Sequence, residues 1–304
     1  MGNVILLITC FVIGILLRRS KRLPENAHAA WNGFVIHVSL PALTLVYVHD
    51  LRLSAELLFP AAMAWLLFGA GCAFFWVVGR LLRLPPRTVG ALMLVGGLGN
   101  TSFVGLPMIE TYYGARGLGV GILVDQAGTY LVLSTLGILT ATYYRQEGGM
   151  NVRAIVRKIL TFAPFLAFVV SLVLVRVAYP EWLDALLRRL GGTLVPLALA
   201  SVGYQIQFKS IRSKLRELGI GLAFKLALGP ALIALVFAGL FSARGETIQI
   251  TIFEAAMAPQ IGAAIVALDH DLDPQLVTLM VGIGTPLSFL TLPLWWQMLQ
   301  PLGS

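Results

Sequence analysis

The chain has 304 residues, of which 58% are hydrophobic and only 12% are charged, with a formal net charge of +8. Soluble domains carry about 25% charged residues, so this composition excludes an ordinary water-soluble domain and indicates a protein whose solvent is lipid. The basic residues lie in short clusters between apolar stretches and carry no recognition motif, which argues against nucleic-acid binding.

Ten apolar stretches follow one another along the chain and are predicted to cross about 30 Å of hydrocarbon. They fall at residues 3–17, 27–48, 57–79, 88–113, 118–144, 154–178, 190–208, 217–241, 247–268 and 273–299. The basic cluster 18–22 follows the first stretch, whereas a cleavable signal peptide has its basic residues before the apolar run. Lys and Arg concentrate in the loops after odd-numbered spans. This bias predicts cytoplasmic odd loops and extracytoplasmic termini, in the inner (plasma) membrane.

The two halves of the sequence resemble each other. Residues 23–45 and 179–200 both begin with Pro-Glu and share a second proline, and "GNTSFVGLP" is offset from "EAAMAPQIG" by a similar distance. Chance similarity between apolar segments is the alternative to a duplication. Five spans per half would insert the second copy upside down, as in secondary transporters. We therefore predict an all-α membrane protein of two inverted five-helix repeats, residues 1–148 and 149–302, joined by a hinge at 145–153.

Spans four and nine are predicted to be broken. In span four, proline and glycine favour unwinding near the middle, at Gly96, Gly97, Gly99, Gly105 and Pro107. In span nine, polar Glu254 and Gln260 surround Pro259. Simple proline kinks are the alternative. If the repeats are inverted, both breaks approach each other near the bilayer midplane and present two half-helix N-termini, which attract anions.

The motifs at these breaks carry a resemblance to a known family. "GNTSFVGLPMIETYYG" resembles the Asn-Thr-x-Phe-x-Gly-x-Pro signature of the auxin efflux carrier family, whose bacterial members include malonate-type carriers. "EAAMAPQIGAAIVAL", "VPLALASVG" (195–203) and "LSFLTLPLWW" (287–296) are similar to its later segments. The resemblance implies a ten-span carrier for organic anions whose crossover helices four and nine meet at the substrate site, with a homodimer as one option. The family's second asparagine would fall near Gly262, where this sequence has none, and Gln260 is the candidate substitute.

Polar residues at membrane depth are functional candidates. The predicted substrate-binding residues are Asn100, Thr101, Ser102, Pro107, Pro259 and Gln260. The candidates for binding a coupling ion or proton are Glu254, Asp125 and Gln126, with Lys225 as a charge partner. Alternatives remain: Glu254 could be a structural hydrogen-bonding group, Asp125 and Gln126 could sit near the outer interface, and Lys225 could snorkel to the membrane surface.

The predicted function is secondary-active transport of a small organic anion, a carboxylate such as a dicarboxylate or an auxin-like acid. Spans three to five and eight to ten would form a mobile transport unit, and spans one, two, six and seven a scaffold. A sodium-coupled organic-anion symporter of the bile-acid carrier type, and a channel or passive sensor, are the rivals. No zinc-spaced Cys/His cluster, phosphate loop or nucleophile elbow is present, so we do not expect an enzyme. The expected partners are the lipid bilayer, the organic anion and a second copy, with Na⁺ or H⁺ as the candidate coupling ion and no other cofactor.

Overall fold

A computed structural model of the chain describes residues 2–49, 54–145, 152–175, 177–205 and 214–303. These residues are almost entirely helical, and most of the predicted hinge at 145–153 lies outside them. The helices are α1 (Gly2–Ser20), α2 (Ala27–Tyr47), α3 (Ala55–Leu81), α4 (residues 86–96), α5 (residues 101–113), α6 (Ala115–Arg145), α7 (Val152–Thr161), α8 (Ala163–Val173), α9 (Glu181–Gln205), α10 (Leu215–Leu240), α11 (Glu246–Ala255), α12 (Ile261–Asp269) and α13 (Pro274–Gly303).

Six of these helices are long and apolar enough to cross a bilayer: α2, α3, α6, α9, α10 and α13. Helix α8 is apolar but shorter. The prediction of an all-α membrane protein is therefore confirmed. Three predicted spans are each divided between two helices: the fourth between α4 and α5, the sixth between α7 and α8, and the ninth between α11 and α12.

Helices α1, α2, α8 and α9 pack on one another. Between α1 and α9, two glycines allow the backbones to touch: Gly14 lies against the carbonyl of Ala200, and Gly203 against the carbonyl of Phe11. Small residues at such crossings are the usual means of close helix packing in membranes. The Ser171 hydroxyl on α8 donates to the Thr44 carbonyl oxygen on α2 at 3.0 Å.

Helix α3 packs on α6, α10 and α11. Aromatic rings fill the contact with α10, where Phe74 stacks on Phe224 at a centroid distance of 4.9 Å. The indole N–H of Trp65 on α3 donates to the Ala127 carbonyl oxygen on α6 at 3.2 Å. Since aromatic pairs bury large apolar areas with defined geometry, they fix α3 against its neighbours.

The acidic turn between α12 and α13 ties three helices together. Asp273 caps α13 by accepting from the Leu276 N–H, and its Oδ2 accepts from the Thr88 hydroxyl and the Lys214 ammonium, both at 2.6 Å. Asp271 pairs with Arg87 at 2.5 Å. Burial raises the pKa of the Asp273 carboxyl, but hydrogen bonds from Lys214, Thr88 and Leu276 and the charge of Lys214 outweigh it, so the pKa falls below its usual value.

Replacing Asp273 by asparagine tests this turn. Asp273→Asn keeps an oxygen that can cap α13 but removes the charge that binds Lys214. We expect the free energy of unfolding near neutral pH to fall by about 1.5–3 kcal/mol, the range for hydrogen bonds to charged groups. Because folding lowers the pKa of Asp273, the wild-type advantage is complete above the unfolded-state pKa of about 3.9 and is lost as the pH falls through the folded-state value.

Thermal unfolding of the detergent-solubilised protein, followed from about pH 7 down to about pH 2, measures this difference across the titration. Asp271→Asn is the matched control, because its side chain is 65% exposed and its ion pair with Arg87 lies at the surface. The control should lose less than about 1 kcal/mol. Equal losses in the two variants would show that the hydrogen bonds of Asp273 stabilise the fold no more than an exposed ion pair does.

Candidate functional site

The first interruption lies upstream of the predicted position. The regular part of helix α4 ends at Gly96, residues 98–100 are not helical, and α5 begins at Thr101. The expectation that Gly105 and Pro107 would also unwind is wrong, because both lie within α5. Pro107 is at the start of the regular α-helical part of α5, a position where its fixed φ is compatible with the helix. The glycines before Asn100 therefore cause the break.

The second interruption lies between Ala255 and Ile261, and it meets the first one. Gly99 and Pro259 form an isolated antiparallel β-bridge. The backbone N–H of Asn100 donates to the Ala258 carbonyl oxygen at 2.8 Å, and the N–H of Gln260 donates to the Leu98 carbonyl oxygen at 3.3 Å. Backbone groups freed by a break in hydrocarbon need partners within the protein, and each segment supplies them to the other.

Two helix N-termini therefore lie side by side. Asn100 precedes α5 and caps it, with its Oδ1 accepting from the Phe103 N–H at 3.1 Å. Gln260 occupies the corresponding position before α12 in an extended conformation. A helix N-terminus carries roughly half a positive charge. The structure thus brings Asn100, Pro259 and Gln260 together, whereas no described hydrogen bond links the Pro107 backbone to the bridge.

Asp125 lies beside the first break and is fully satisfied. Its Oδ1 accepts from the hydroxyls of Thr101 at 2.5 Å and Ser102 at 2.6 Å, and its Oδ2 accepts from the Gln126 amide at 2.6 Å. Both Asp125 and Gln126 are buried. Of the two predicted placements, the contacts of Asp125 agree with the one in which it faces the first break. The Thr101 and Ser102 hydroxyl protons are committed to Asp125, so these two residues position that carboxylate.

Glu254 has a different environment. The side chain is fully buried, and neither carboxylate oxygen has a hydrogen-bond partner among the described residues. The carboxylate lies against two glycines: a Cβ added at Gly105 would be 2.5 Å from both oxygens, and one at Gly121 would be 3.4 Å from Oε1. The charge of Lys225 acts on Glu254, but attraction without a hydrogen bond leaves the buried carboxylate oxygens unsatisfied, a cost that a proton or a bound cation would relieve.

Lys225 approaches the same region from α10. Its ammonium donates to the Ala255 carbonyl oxygen at 2.6 Å, and its side chain is fully buried. A Cβ added at Gly99 would be 3.2 Å from Nζ. The snorkelling alternative is wrong, because no part of this side chain reaches the surface. Instead the ammonium satisfies the carbonyl at the C-terminal end of α11, where positive charge is favourable.

Several buried polar atoms around the bridge have no partner within the described residues. They are Asn100 Nδ2, Gln126 Oε1, Gln260 Oε1 and both carboxylate oxygens of Glu254. One donor and several acceptors suit two kinds of ligand, an anion at the donor and a cation or proton at the acceptors. No group of three or more His, Cys, Asp or Glu side chains able to hold a metal occurs in the described part of the chain.

Two features of the site escaped the sequence prediction. Gly105 was assigned to the break, and Gly121 was not considered, yet together they make room for the Glu254 carboxylate. Asp125 and Lys225 also lie in π-helical turns, Val124–Tyr130 and Phe224–Leu228. Such turns change which face a residue occupies and are frequent at functional sites. In the sequence, the space for the Glu254 carboxylate was indicated only by the presence of glycine at positions 105 and 121 within helical stretches.

The space beside Gly105 gives a direct test. In Gly105→Ala the new methyl group would overlap both oxygens of Glu254, so we expect a lower thermal stability and loss of transport. Adding Glu254→Asp, which shortens the acidic side chain, should recover part of the stability. The measurement is the unfolding midpoint of the purified single and double variants.

Gly69→Ala is the matched control, since a Cβ there meets nothing within 4 Å. It should be neutral or gain up to about 1 kcal/mol from helix propensity. If Gly105→Ala behaved like this control, the close contact with Glu254 would be refuted.

Comparison with known proteins identifies a family of transporters. A family model described as "Membrane transport protein" matches residues 1–296. An "Uncharacterized transporter" of Methanothermobacter thermautotrophicus is 27% identical over 298 residues, covering 96% of each chain. "Uncharacterized transporter MJ1031" of Methanocaldococcus jannaschii is 24% identical over 311 residues, covering 99% of each chain. The chain therefore belongs to this family of membrane transport proteins, the auxin efflux carrier family whose signature its fourth span resembles.

Proposed function

We propose that the protein is a secondary-active carrier of a small organic anion, a carboxylate such as a dicarboxylate or an auxin-like acid. The observation that carries this proposal is the bridge between Gly99 and Pro259, which sets two helix N-termini beside one another inside an apolar bundle. Non-helical backbone at membrane depth is tolerated where it lines a cavity or is buried in protein, and in transporters it forms the substrate site.

The carrier would have ten spans in two inverted repeats, 1–148 and 149–302, with both termini extracytoplasmic in the inner membrane. Packing supports a scaffold of spans one, two, six and seven, because α1, α2, α8 and α9 contact one another. It also supports a transport unit of the remaining spans, since the turn at Asp273 binds both Thr88 and Lys214. A homodimer formed through the scaffold is compatible with this division.

The anion would bind at the paired N-termini. Asn100 Nδ2 is a buried donor without a partner, and the partial positive charges of α5 and α12 favour a carboxylate there. Lys225 adds a positive charge nearby through its contact with Ala255. A negative charge on Asp125 would oppose binding of an anion, but the three hydrogen bonds to its carboxylate would spread that charge.

Coupling would run through Glu254. If Glu254 were ionised with no cation bound to it, its negative charge would add to that of Asp125 and repel the substrate. Binding a proton or cation at Glu254 removes that repulsion, so substrate and coupling ion would bind together. The empty hydrogen-bonding capacity of both Glu254 oxygens supports this role over a purely structural one.

The packing of α5 and α12 supports alternating access. Helix α5, which leads from the bridge to the predicted outer side, contacts α1 and α9. On the predicted cytoplasmic side, a cleft of about 160 Å³ separates the end of α9 from α12 and α13, with Gln205, Ile261, Ala264 and Val277 among its lining residues. Movement of the transport unit against the scaffold would exchange the open side.

A sodium-coupled symporter is the second candidate. The observation that favours it is the set of oxygen acceptors, Gln126 Oε1, Gln260 Oε1 and the Glu254 carboxylate, because hard cations prefer oxygen ligands. Uptake of a labelled dicarboxylate into proteoliposomes, with a Na⁺ gradient or a pH gradient alone, separates the two couplings. Complete dependence on Na⁺ would establish the symporter, and a failure to accumulate substrate under either gradient would indicate a channel.

Asn100 is tested by two substitutions. Asn100→Asp keeps the oxygen that caps α5, removes the Nδ2 donor and adds negative charge. We therefore expect loss of anion binding together with a lower unfolding midpoint, because the second carboxylate oxygen would be buried without a donor. Asn100→Ala should lose both binding and about 1 kcal/mol of capping energy. Counterflow of labelled dicarboxylate and the unfolding midpoint report the two effects, with Asn26→Ala, at an exposed asparagine, as the control. Unchanged binding in Asn100→Asp would remove this side chain from the site.

Glu254→Gln preserves shape but cannot release a proton or carry charge. We expect it to abolish accumulation against a gradient while leaving substrate exchange between the two sides measurable. The assay compares gradient-driven uptake with exchange in the same proteoliposomes, and Glu110→Gln on α5 is the control carboxylate. Retention of normal gradient-driven uptake in Glu254→Gln would exclude Glu254 from coupling.

A further inference from the structure

We propose that a cavity at the ends of α3 and α6 binds the phosphate headgroup of an anionic phospholipid. The cavity has a volume of about 640 Å³ and opens on the predicted cytoplasmic side. Its lining combines the guanidinium groups of Arg80 and Arg83 with the aromatic rings of Trp76, Tyr143 and Tyr144. None of these residues belongs to the bridge between the broken helices, so this site is separate from the substrate site.

Helix α4 shapes the cavity by holding its two walls in place. A Cβ added at Gly79 of α3 would be 2.5 Å from Val89, and one added at Gly90 of α4 would be 2.6 Å from Tyr144 on α6. The first turns of α4 are therefore wedged between the ends of α3 and α6. The gap that remains above Pro86 and Val89 is the cavity.

Two arginines give the cavity its charge. The guanidinium of Arg80 lies over the Trp76 ring, 4.3 Å from the centroid, and Arg83 lies three residues further along. Within the described residues neither guanidinium is paired with a carboxylate, whereas Arg87 in the same loop is paired with Asp271. Guanidinium groups match the geometry of phosphate, so the complementary ligand is a phosphate anion.

Backbone geometry places Arg83 at the end of helix α3 beside the cavity. Its φ is +52°, and the N–H groups of Arg83 and Leu84 donate to the carbonyl oxygens of Arg80 and Gly79 at 3.3 and 2.9 Å. This pattern is a Schellman motif, whose left-handed position is usually occupied by glycine. Glycine would therefore fit without strain, and Arg83→Gly removes the charge without disturbing the helix end.

The surroundings of the cavity favour a lipid over a soluble anion. Trp76 and Tyr143, which line it, have exposed fractions of 47% and 75%. Exposed apolar residues at the end of a long membrane helix face acyl chains, and Trp and Tyr mark the headgroup level. A lipid could lay its chains along these exposed side chains and its phosphate between the arginines. Anionic lipids are also enriched in the cytoplasmic leaflet, the side predicted for this loop.

Native mass spectrometry of the purified protein, titrated with phosphatidylglycerol or phosphatidylcholine, tests the proposal. We expect phosphatidylglycerol to bind more tightly, and each of Arg80→Gln and Arg83→Gly to weaken it about five-fold, the factor for one arginine at an anionic surface. Arg19→Gln, the same charge change at the end of α1, should leave binding unchanged. The unfolding midpoint of Arg83→Gly should match or exceed that of the wild type.

Three outcomes would overturn the proposal. Equal retention of the two lipids would show that the headgroup charge is not recognised. Equal binding of phosphatidylglycerol by the wild type and Arg83→Gly would place the lipid elsewhere. Displacement of phosphatidylglycerol by an equimolar amount of inorganic phosphate would identify the cavity as a site for soluble anions.

Discussion

The structure depends on one constraint: backbone groups released by a break in a membrane helix must find partners without water. Each unsatisfied group would cost several kcal/mol in hydrocarbon. Two broken segments meet this requirement for each other, because Asn100 donates to Ala258 and Gln260 donates to Leu98. The helix N-termini, Asn100 and the unpaired amide groups take their positions from this pairing. The candidate site thus results from the need of the two breaks to satisfy each other's backbone hydrogen bonds.

Three buried ionisable groups surround the pairing, and their environments differ. Asp125 receives three hydrogen bonds and Lys225 is held by a carbonyl oxygen, whereas Glu254 rests against glycine with both oxygens unpaired. A charge that is fully bonded has little reason to change its state. Because its oxygens lack hydrogen bonds, Glu254 is the one of these three groups whose energy would change most if a proton or a cation were bound, and this difference is the reason for proposing it as the coupling residue.

The all-helical membrane class could be predicted from the sequence. The exact position of the first break and the surroundings of Asp125 and Lys225 could not. Apolar stretches predict helices reliably, because a bilayer forces every backbone group into hydrogen bonds. Glycine and proline indicated that spans four and nine break, but the first break falls before Asn100 since the chain tolerates Pro107 near a helix start. Counting along an ideal helix placed Asp125 near the interface and let Lys225 reach the surface. Both residues lie in π-helical turns, and contacts made by other helices decide their burial.

The bridge also constrains how the protein is made. Gly99 leaves the ribosome about 160 residues before Pro259, and synthesis at about 5–20 residues per second separates them by roughly 8–30 seconds. During that interval the first interrupted helix would face lipid with its backbone bonds open. Until then, its glycine-rich segment needs other hydrogen-bond partners, such as water at the edge of the bilayer or polar groups of the insertion machinery. The final form of the first half becomes available only when the second half arrives.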